Sequence, residues 1–564
     1  MARSLATVTP PRRASAWERV GLGGILLVAA ALRLVALDQY PPGLHSDEAV
    51  NGWNAYCLLK TGRDQFGAAW PVFYIRALGE NRIALFCYLL LPFQALGGLN
   101  LWTLRLPAAL AGVLTVGLLY WVGRRLFDRP TGLIAAALLA VLPAHIQMTR
   151  WGHEASVAPL LVLLPLAALL WAGLPPADGA GPRRIGRAGL AGLLAGLCCY
   201  GYPAVRLFIP PFLCAVGLLN WRRWSTAART PGGRGAALAY VVGLVLTFGP
   251  LVYMHVTYPE VMNKRGHMTW IWRASDPPSQ QVLSVLERYS GHFGLDFLFR
   301  YGDVDETVWA VPFGYLPRYY GVLLVAGLAV AAWRFRRCAG ARVLLAGVAL
   351  FPFGDALNYH PSLHGLRSSV GLWSLALVAA LGLARVWHWL HARRLTASLA
   401  LASGLLGIWA PMHTIRPLYE YFCVRPRKAL VYYGDHVDLL AACDWLRPRL
   451  AETDVVICYP AGPNPGFTKY AVTLVALQHD PLRWFAEPRV VDMRGEWDRY
   501  SRYGKFHFLF PDERRALLEE LRHNGQVDRV VLILRPNDPV PFEPSERIAA
   551  PGGTTALHIY TAEL

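Results

Sequence analysis

The sequence LWTLRLPAALAGVLTVGLLYWVGRRLFDR, residues 101–129, decides the fold class. Residues 104–123 form an apolar run of the length that crosses the hydrocarbon layer of a bilayer as one helix. The run ends in the basic cluster GRRLFDR (123–129), and Lys and Arg concentrate in the cytoplasmic loops of membrane proteins. The stretch therefore predicts a transmembrane helix whose C-terminal end faces the cytoplasm.

The composition of the whole chain also indicates an integral membrane protein. Hydrophobic residues make up 54% of its 564 residues and charged residues only 16%, whereas soluble domains are about 25% charged. The 20 Trp and 25 Tyr suit the two membrane–water interfaces. The net charge of +18 also fits a nucleic-acid-binding protein, but the basic residues concentrate in short loops. The charge therefore reports orientation in the membrane and excludes a nucleic-acid partner.

Outside residues 104–123, ten further apolar runs predict a polytopic α-helical protein with about 11 transmembrane helices. A twelfth candidate, residues 83–99, is short and contains Pro92 and two glycines. If this segment does not cross, five basic clusters share the side of the N-terminus, as the positive-inside rule requires. We therefore predict that residues 83–99 lie in the outer interface or form a re-entrant segment. The ten runs lie near 18–37, 131–148, 155–174, 188–204, 205–220, 235–254, 316–333, 343–359, 368–386 and 395–413, and the clusters are 123–129, 182–187, 221–224 with Arg229 and Arg234, 334–342 and 385–394.

This orientation divides the chain into a cytoplasmic N-terminus (1–17), a transmembrane domain (18–415) and an extracytoplasmic domain (416–564). The transmembrane domain carries two large outer loops, 38–103 and 255–315. Strands and helices alternate in the last part, which predicts a small soluble α/β domain on the outer face. The predicted strands are 454–459, 490–493, 506–510 and 528–534, and the predicted helices are 437–450 and 511–524.

The acidic pair Asp47 and Glu48, in HSDEAVNGWNAY (45–56), is the first candidate site on the outer face. A carboxylate in hydrocarbon costs several kilocalories unless it is paired or hydrated, so an acidic pair beside an apolar run needs a reason. One interpretation is structural, because Ser46 and acidic residues favour the first turn of a helix. The other is catalytic, with one carboxylate acting as a general base. Other charged residues gathered on the outer side favour catalysis by at least one of the pair.

Nine more polar residues fall on the outer side, and several of them have a structural alternative. A loop ion pair explains Glu80 and Arg82, interface anchoring explains the turn 148–154, and snorkelling explains Arg206. Arginine binds phosphate in a bidentate manner, so the set also fits a lipid-phosphate sugar as substrate. A carboxylate would then deprotonate an acceptor hydroxyl or amine, while arginines stabilise the departing phosphate. The predicted substrate-binding residues are Glu80, Arg82, Arg150, His153, Glu154, Tyr202, Arg206, Arg265 and Arg367.

Several motifs, in chain order, resemble the GT-C glycosyltransferases of family 39, which include the protein O-mannosyltransferases and the lipid A aminoarabinose transferases. They begin with the pair Asp47-Glu48 after the first span. GENR (79–82), RLPAAL (105–110) and GRRLF (123–127) follow. The later segments YGYPAVR (200–206), YPEVMNKR (258–265) and HPSLHGLRSSVGLW (360–373) resemble bacterial members. The resemblance covers about residues 45–375, nearly the whole membrane part.

The resemblance implies a GT-C fold, a polyprenyl-phosphate-linked sugar donor and an inverting transfer on the extracytoplasmic face. The family's catalytic carboxylate falls on Asp47, with Glu48 as its acidic neighbour. Its second acidic position falls on Glu154, where relatives often carry Asp. Arg206 and Arg367 fall where phosphate-binding arginines are expected. Some relatives hold a metal and others need none, so we expect no obligatory cofactor or metal site, with a divalent cation possible.

Alternatives remain at this stage. A transporter or flippase for lipid-linked sugars would need charges inside spans or two repeated halves. No duplicated half is visible, and Asp355 is the one acidic residue well inside an apolar run. A non-catalytic envelope protein is the third possibility, and the presence of both Asp47 and Glu48 argues against it. The expected location is the inner (plasma) membrane, where the enzyme would meet a polyprenyl-phosphate sugar, membrane lipids and an acceptor lipid, glycan or protein. Protein glycosylation and lipid A modification both fit, and the sequence names neither sugar nor acceptor.

Overall fold

The structure is a computed structural model. The structure describes residues 15–77, 79–175, 181–262, 264, 270–271, 275–304, 313–359, 362–459, 469–494, 497–525, 527–538, 540, 543–551 and 553–563. The helices are α1 (Ala16–Leu34), α2 (Ser46–Thr61), α3 (Leu85–Gly97), α4 (Leu101–Leu126), α5 (Arg129–Ala140), α6 (Pro143–Met148), α7 (Ala158–Ala172), α8 (Pro182–Cys198), α9 (Pro203–Leu219), α10 (Trp221–Ala227), α11 (Pro231–Thr257), α12 (Pro259–Met262), α13 (Pro278–Gly291), α14 (Tyr319–Arg334), α15 (Ala339–Leu350), α16 (Phe353–Ala356), α17 (Leu372–Ala392), α18 (Thr396–Tyr419), α19 (Ala429–Gly434), α20 (Val437–Leu446), α21 (Lys469–Ala476), α22 (Pro481–Ala486) and α23 (Pro511–Asn524). The strands are β1 (Ile75–Ala77), β2 (Glu80–Arg82), β3 (Val455–Cys458), β4 (Arg489–Arg494), β5 (Trp497–Tyr503), β6 (Phe506–Phe508), β7 (Arg529–Leu534), β8 (Glu546–Ala549) and β9 (Thr555–Glu563).

The chain forms two compact units. The first contains Met1–Val35 and Ala108–Glu420, and the second contains Ala36–Pro107 and Tyr421–Leu564. The predicted outer loop 38–103 therefore packs with the C-terminal part of the chain. The predicted border at residue 416 had assigned this loop to the transmembrane domain.

The membrane helices confirm the predicted helical class. Every predicted apolar run overlaps a helix. Within the described residues, five helical segments are long and apolar enough to cross a membrane, and α9 with α10 makes a sixth if this pair, bent by 75°, counts as one span. The total of about 11 crossings stays a prediction. The five segments are Leu101–Leu126, Glu154–Ala172, Pro231–Thr257, Ala339–Ala356 and Arg367–Ala392.

Helix α3 covers the doubtful segment 83–99. It has 13 residues and contains Pro92, so at 1.5 Å per residue it is about 20 Å long, shorter than the roughly 30 Å hydrocarbon layer. The structure thus gives this segment the short length that the prediction required. Whether it lies in the interface or is re-entrant stays a prediction.

Small residues bring the helices of the first unit close together. A Cβ added to Gly192 of α8 would lie 2.0 Å from the carbonyl oxygen of Tyr240 on α11, and one added to Gly243 of α11 would lie 2.3 Å from that of Gly189. Glycine contacts of this kind let membrane helices pack backbone to backbone. Other apolar side chains of α11, among them Leu238 and Val245, are exposed, as expected for a helix that faces lipid.

A seven-stranded sheet organises the C-terminal part of the second unit, in the order β4-β5-β6-β3-β7-β9-β8. Strand β3 is buried along its length and pairs in parallel with β6 and β7, while the outer pairs are antiparallel. The predicted α/β domain and its predicted strands are confirmed. Sequence reasoning missed β5, β8 and β9. Strands β5 and β8 are rich in charged residues, which hides the period-two pattern of a strand.

Aromatic side chains fix α2 in the second unit. The rings of Trp53 and Trp484 meet edge to face at 5.7 Å, and both side chains are fully buried. The Trp484 indole N–H donates to the Gln65 carbonyl at 3.0 Å, and the Tyr470 hydroxyl donates to the Gln65 side chain at 3.1 Å. Helix α2, which begins beside the acidic pair, is thus anchored at its far end to α21 and α22.

Candidate active site

The acidic pair opens helix α2. His45 is the N-cap, and its Nδ1 accepts a hydrogen bond from the Asp47 amide at 3.2 Å. The Glu48 carboxylate accepts from the His45 amide at 3.2 Å, which completes a capping box. The helix ends at Gly62 in the left-handed conformation (φ 69°). The local sequence therefore places both carboxylates in the first turn, where the helix dipole favours negative charge.

A two-stranded hairpin brings Glu80 and Arg82 to Asp47. Strands β1 and β2 pair with Ala77 opposite Glu80. The Arg82 guanidinium donates to Asp47 Oδ1 at 2.6 Å and to Glu80 Oε1 at 3.1 Å. The Asp47 side chain keeps 20% of its surface exposed, against 4% for Glu80. Asp47 is therefore a carboxylate held in one orientation by an arginine and still reachable from outside.

Glu48 has different surroundings. Its carboxylate receives two hydrogen bonds from Arg105, from Nε at 2.9 Å and from Nη2 at 3.0 Å, and both side chains are buried. Arg105 also donates to the carbonyls of Leu37, Pro41 and Gly43 at 3.1, 2.8 and 2.7 Å. These contacts tie residues 37–48 to the start of α4. They support the structural interpretation for Glu48, whose catalytic role stays a prediction.

In the first unit, the structure brings His153, Glu154 and Tyr202 together. Glu154 Oε2 lies 3.7 Å from His153 Nε2. The His153 ring meets the Tyr202 ring edge to face, with 6.0 Å between centroids, and Tyr202 is the N-cap of α9. His153 and Glu154 side chains are 9% and 11% exposed. The three residues form one polar cluster at the start of two membrane helices.

The predicted arginines Arg150 and Arg206 differ in what they bind. Arg150 is buried and donates to the carbonyls of Leu32 and Val35, at 3.1 and 2.9 Å, at the C-terminal end of α1. Arg206 donates to the Cys199 carbonyl at 2.9 Å and lies 3.4 Å from His255 Nε2. One of its terminal nitrogens is buried without a hydrogen-bond partner among the described residues. Arg206 thus retains donor capacity for an anion, as a phosphate-binding arginine would.

Arg367 lies in a buried ion cluster around Asp355. Its Nη1 is 3.6 Å from Asp355 Oδ1, and Asp355 Oδ2 accepts from Arg288 at 2.7 Å and lies 3.3 Å from His292 Nε2. In the sequence, Asp355 was the one charge inside an apolar run that a transporter would need. In the structure this charge is paired with Arg288 and Arg367. Arg265 lies outside the described residues.

Among the described residues no group of three or more His, Cys, Asp or Glu side chains is arranged to hold a metal ion. Asp303, of the acidic stretch 303–306, accepts hydrogen bonds from the Gly365 amide at 2.7 Å and the Ser362 hydroxyl at 3.2 Å. Asp305 and Glu306 lie outside the described residues. Whether a divalent cation takes part stays a prediction.

Sequence reasoning missed the role of Arg105 and of Arg288. Arg105 was visible as the first residue of RLPAAL, and a charged residue at the start of an apolar helix requires a partner. That signal points to a carboxylate on the outer side, and Glu48 is that carboxylate. Arg288 gave no comparable signal, because it lies in the predicted outer loop 255–315, where a charged residue needs no buried partner. Its partner is Asp355.

Comparisons with known proteins agree with this architecture. Residues 84–253 match the family described as dolichyl-phosphate-mannose-protein mannosyltransferase. The crystal structure of ArnT from Cupriavidus metallidurans bound to undecaprenyl phosphate is similar over 97% of this chain and 98% of that one, with a TM-score of 0.54 and 16% identity. Its apo structure covers 98% of both chains at a TM-score of 0.53 and 15% identity. These two matches show that the chain has the fold of ArnT, the GT-C fold.

The archaeal oligosaccharyltransferase AglB from Archaeoglobus fulgidus, solved with an inhibitory peptide and a dolichol-phosphate, also matches the chain. That match has a TM-score of 0.49 and 13% identity, over 92% of this chain and 69% of that one. No curated protein sequence matches the chain significantly. The predicted GT-C fold is confirmed, and the family match over residues 84–253 supports the predicted resemblance to family 39.

Proposed function

We propose that the protein is a membrane glycosyltransferase that transfers a sugar from a polyprenyl-phosphate donor to an acceptor lipid, glycan or protein on the extracytoplasmic face. The GT-C fold and the mannosyltransferase family match support the class of reaction. The observation that carries the proposal is the arrangement of Asp47, Arg82 and Glu80, in which one carboxylate remains partly exposed.

The reaction is a single displacement. The acceptor oxygen or nitrogen attacks the anomeric carbon, the bond from that carbon to the phosphate oxygen breaks with its electron pair leaving on the phosphate, and the configuration inverts. Asp47 accepts the proton of the attacking group. Because Arg82 holds one Asp47 oxygen at 2.6 Å, the carboxylate keeps a fixed direction and pays little entropy to reach its acceptor.

The departing phosphate requires a cation. Arg206 is the phosphate-binding residue that the contacts favour, since a buried nitrogen of its guanidinium lacks a partner among the described residues. Arg367 is a weaker candidate because Asp355 lies 3.6 Å from it. Arg150 donates to backbone carbonyls, which suits an anchor of α1 more than a ligand-binding residue.

The test compares variants in membranes with a polyprenyl-phosphate sugar as donor. Asp47→Asn keeps the size of the side chain and the hydrogen bond to Arg82 but removes the base, so transfer should fall roughly 10³-fold with normal expression. Unchanged transfer by this variant would remove Asp47 as the base. The donor sugar follows from the lipid-linked sugar that accumulates in a deletion strain.

The phosphate site has its own test. Arg206→Ala should raise the donor KM about tenfold or more, while the acceptor KM changes little. Arg342 is the matched control, because like Arg206 it donates to a backbone carbonyl, that of Phe335 at 3.0 Å, while its Nε donates to the Asn220 side chain. Arg342→Ala should leave the donor KM unchanged. An acceptor-specific defect in Arg206→Ala would take Arg206 out of the phosphate site.

The orientation is tested separately. A cysteine introduced at Arg183, in the second basic cluster, should react only with reagents that enter the cytoplasm. Labelling from outside would invert the topology and move the proposed reaction to the other face.

A further inference from the structure

A turn of the C-terminal region contacts the segment that carries Asp47. The turn lies between α19 and α20, within the second unit, and its central residues are Asp435 and His436. The Asp435 carbonyl accepts a hydrogen bond from the Leu44 amide at 2.6 Å. His436 Nε2 lies 3.1 Å from the Ser46 hydroxyl. The turn therefore contacts the chain three residues and one residue before Asp47.

The histidine contact has a defined polarity. His436 Nδ1 faces the Tyr433 carbonyl at 3.3 Å, which places the ring proton on Nδ1 and leaves Nε2 as an acceptor. Burial lowers the pKa of the His436 imidazole well below its usual range, so the ring is neutral and the Ser46 hydroxyl donates to it. This bond orients the first residue of α2.

The backbone of the turn is strained. His436 has φ 54°, in the left-handed region, which is unfavourable for a residue with a Cβ. Such a conformation persists where surrounding contacts hold it, and it concentrates at functional sites. Here the strain places the imidazole against Ser46.

Gly43 lies against the same turn. Gly43 has φ +73°, and a Cβ added there would lie 2.1 Å from the Asp435 carbonyl oxygen and 2.8 Å from Val437. Only glycine permits this approach. Arg105 holds the Gly43 carbonyl at 2.7 Å, so residues 43–46 are fixed both by Arg105 and by the turn.

We propose that the Asp435–His436 turn is a positioning element of the active site: it fixes the backbone at Leu44 and the hydroxyl of Ser46, and thereby sets the direction of the Asp47 carboxylate toward Arg82. The C-terminal region is on this basis part of the catalytic apparatus. The effect on catalysis rests on the proposed glycosyl transfer. The docking, which is the contact of the turn with residues 43–46, does not depend on it.

The first experiment measures amide hydrogen exchange of the full-length protein by mass spectrometry. Gly43→Ala and His436→Ala should each reduce protection of the peptide that contains Leu44 and Ser46 by about tenfold or more. Gly98→Ala is the matched control for the first variant, since Gly98 has the same φ of +73° but no atom lies within 4 Å of a Cβ added there. His558→Ala controls for the loss of a histidine elsewhere in the second unit, because His558 is half-buried on strand β9, where its Nδ1 lies 3.0 Å from the Tyr560 hydroxyl. Protection equal to wild type in both test variants overturns the docking.

The second experiment measures sugar transfer. His436→Ala and the milder Ser46→Ala should lower kcat about tenfold and about threefold, with donor and acceptor KM within about twofold, because only the base is displaced. The double variant should resemble His436→Ala alone, since the two changes remove one bond. Lost protection with unchanged kcat overturns the positioning role. If wild-type protein transfers no sugar from any polyprenyl-phosphate donor, the proposed function and the positioning role fail together, and the exchange data alone decide the docking.

Discussion

The two carboxylates at the start of α2 are neighbours in sequence and opposites in surroundings. Asp47 meets Arg82 on the hairpin and keeps a fifth of its side chain exposed. Glu48 lies 1% exposed and receives two hydrogen bonds from the fully buried Arg105. Successive residues of a helix point about 100° apart, so one turn presents a carboxylate to each environment.

The different surroundings of Asp47 and Glu48 indicate different roles for the two carboxylates. A proton acceptor must be reached by its substrate, and Asp47 is accessible. Glu48 would have to break its buried, doubly hydrogen-bonded ion pair with Arg105 before it could take a proton. Arg105 also binds the carbonyls of residues 37, 41 and 43, so this pair holds that segment in place. We therefore infer that the Asp47 side governs turnover and the Glu48 side governs folding.

Removal of Glu48 is the strongest test of this separation of roles. Glu48→Ala leaves the buried Arg105 without its carboxylate, and the loss of one partner of a buried ion pair costs roughly 3–5 kcal/mol. We expect a large drop in the unfolding temperature of the purified protein in detergent, measured by intrinsic fluorescence.

Asp47→Asn serves as the control in the same helical turn, because its side chain is partly exposed and keeps its shape. Its unfolding temperature should stay within about 3 °C of wild type, a shift of under about 1 kcal/mol. A Glu48→Ala protein as stable as wild type would contradict the separation of roles.

Much of this architecture was predictable, since membrane helices are encoded locally. A run of about 20 apolar residues followed by arginines is sufficient to predict a span, and α23 was predicted with its observed bounds, 511–524, because of its acidic first turn and its periodic apolar positions. The acidic pair and GENR likewise identified Asp47, Glu80 and Arg82 as residues of one site.

The remaining features depend on contacts between distant segments. Nothing local to Asp435 or His436 signals that they meet residues 44 and 46, nearly 400 residues earlier. The ion pair between Arg105 and Glu48 spans 57 residues. Partner choice of this kind is set by tertiary packing, which periodicity and propensity do not encode.

A second prediction concerns the pH dependence of stability, which we expect from the buried Asp435. The pKa of the Asp435 carboxyl is raised to about 6, mainly by burial and also by Glu48, while Arg425, His45 and Arg105 oppose the rise. In the unfolded chain this pKa is about 3.9. Between about pH 4 and pH 6 the folded protein therefore binds more protons than the unfolded chain, so its free energy of unfolding falls as the pH rises, by up to about 3 kcal/mol.

Asp435→Asn should remove this part of the pH dependence. Unfolding temperatures of wild type and variant at about pH 4.5 and about pH 6.5 measure it, with the variant gaining relative to wild type at the higher pH. An identical pH dependence in both proteins would show that Asp435 is ionised in the fold throughout this range.

The smallest expected effect tests the surroundings of Asp47. Glu80 accepts from Arg82 Nε at 3.1 Å, so it shares the arginine with Asp47. Glu80→Gln keeps the shape and an acceptor oxygen but removes the charge, which leaves Arg82 to pair more strongly with Asp47. A carboxylate bound more tightly by a guanidinium is a weaker base, so kcat/KM for sugar transfer should fall about tenfold, or about 1.4 kcal/mol in activation free energy, while the unfolding temperature changes by less than about 3 °C. A loss of stability without a loss of turnover would place Glu80 with Glu48, on the side that governs folding.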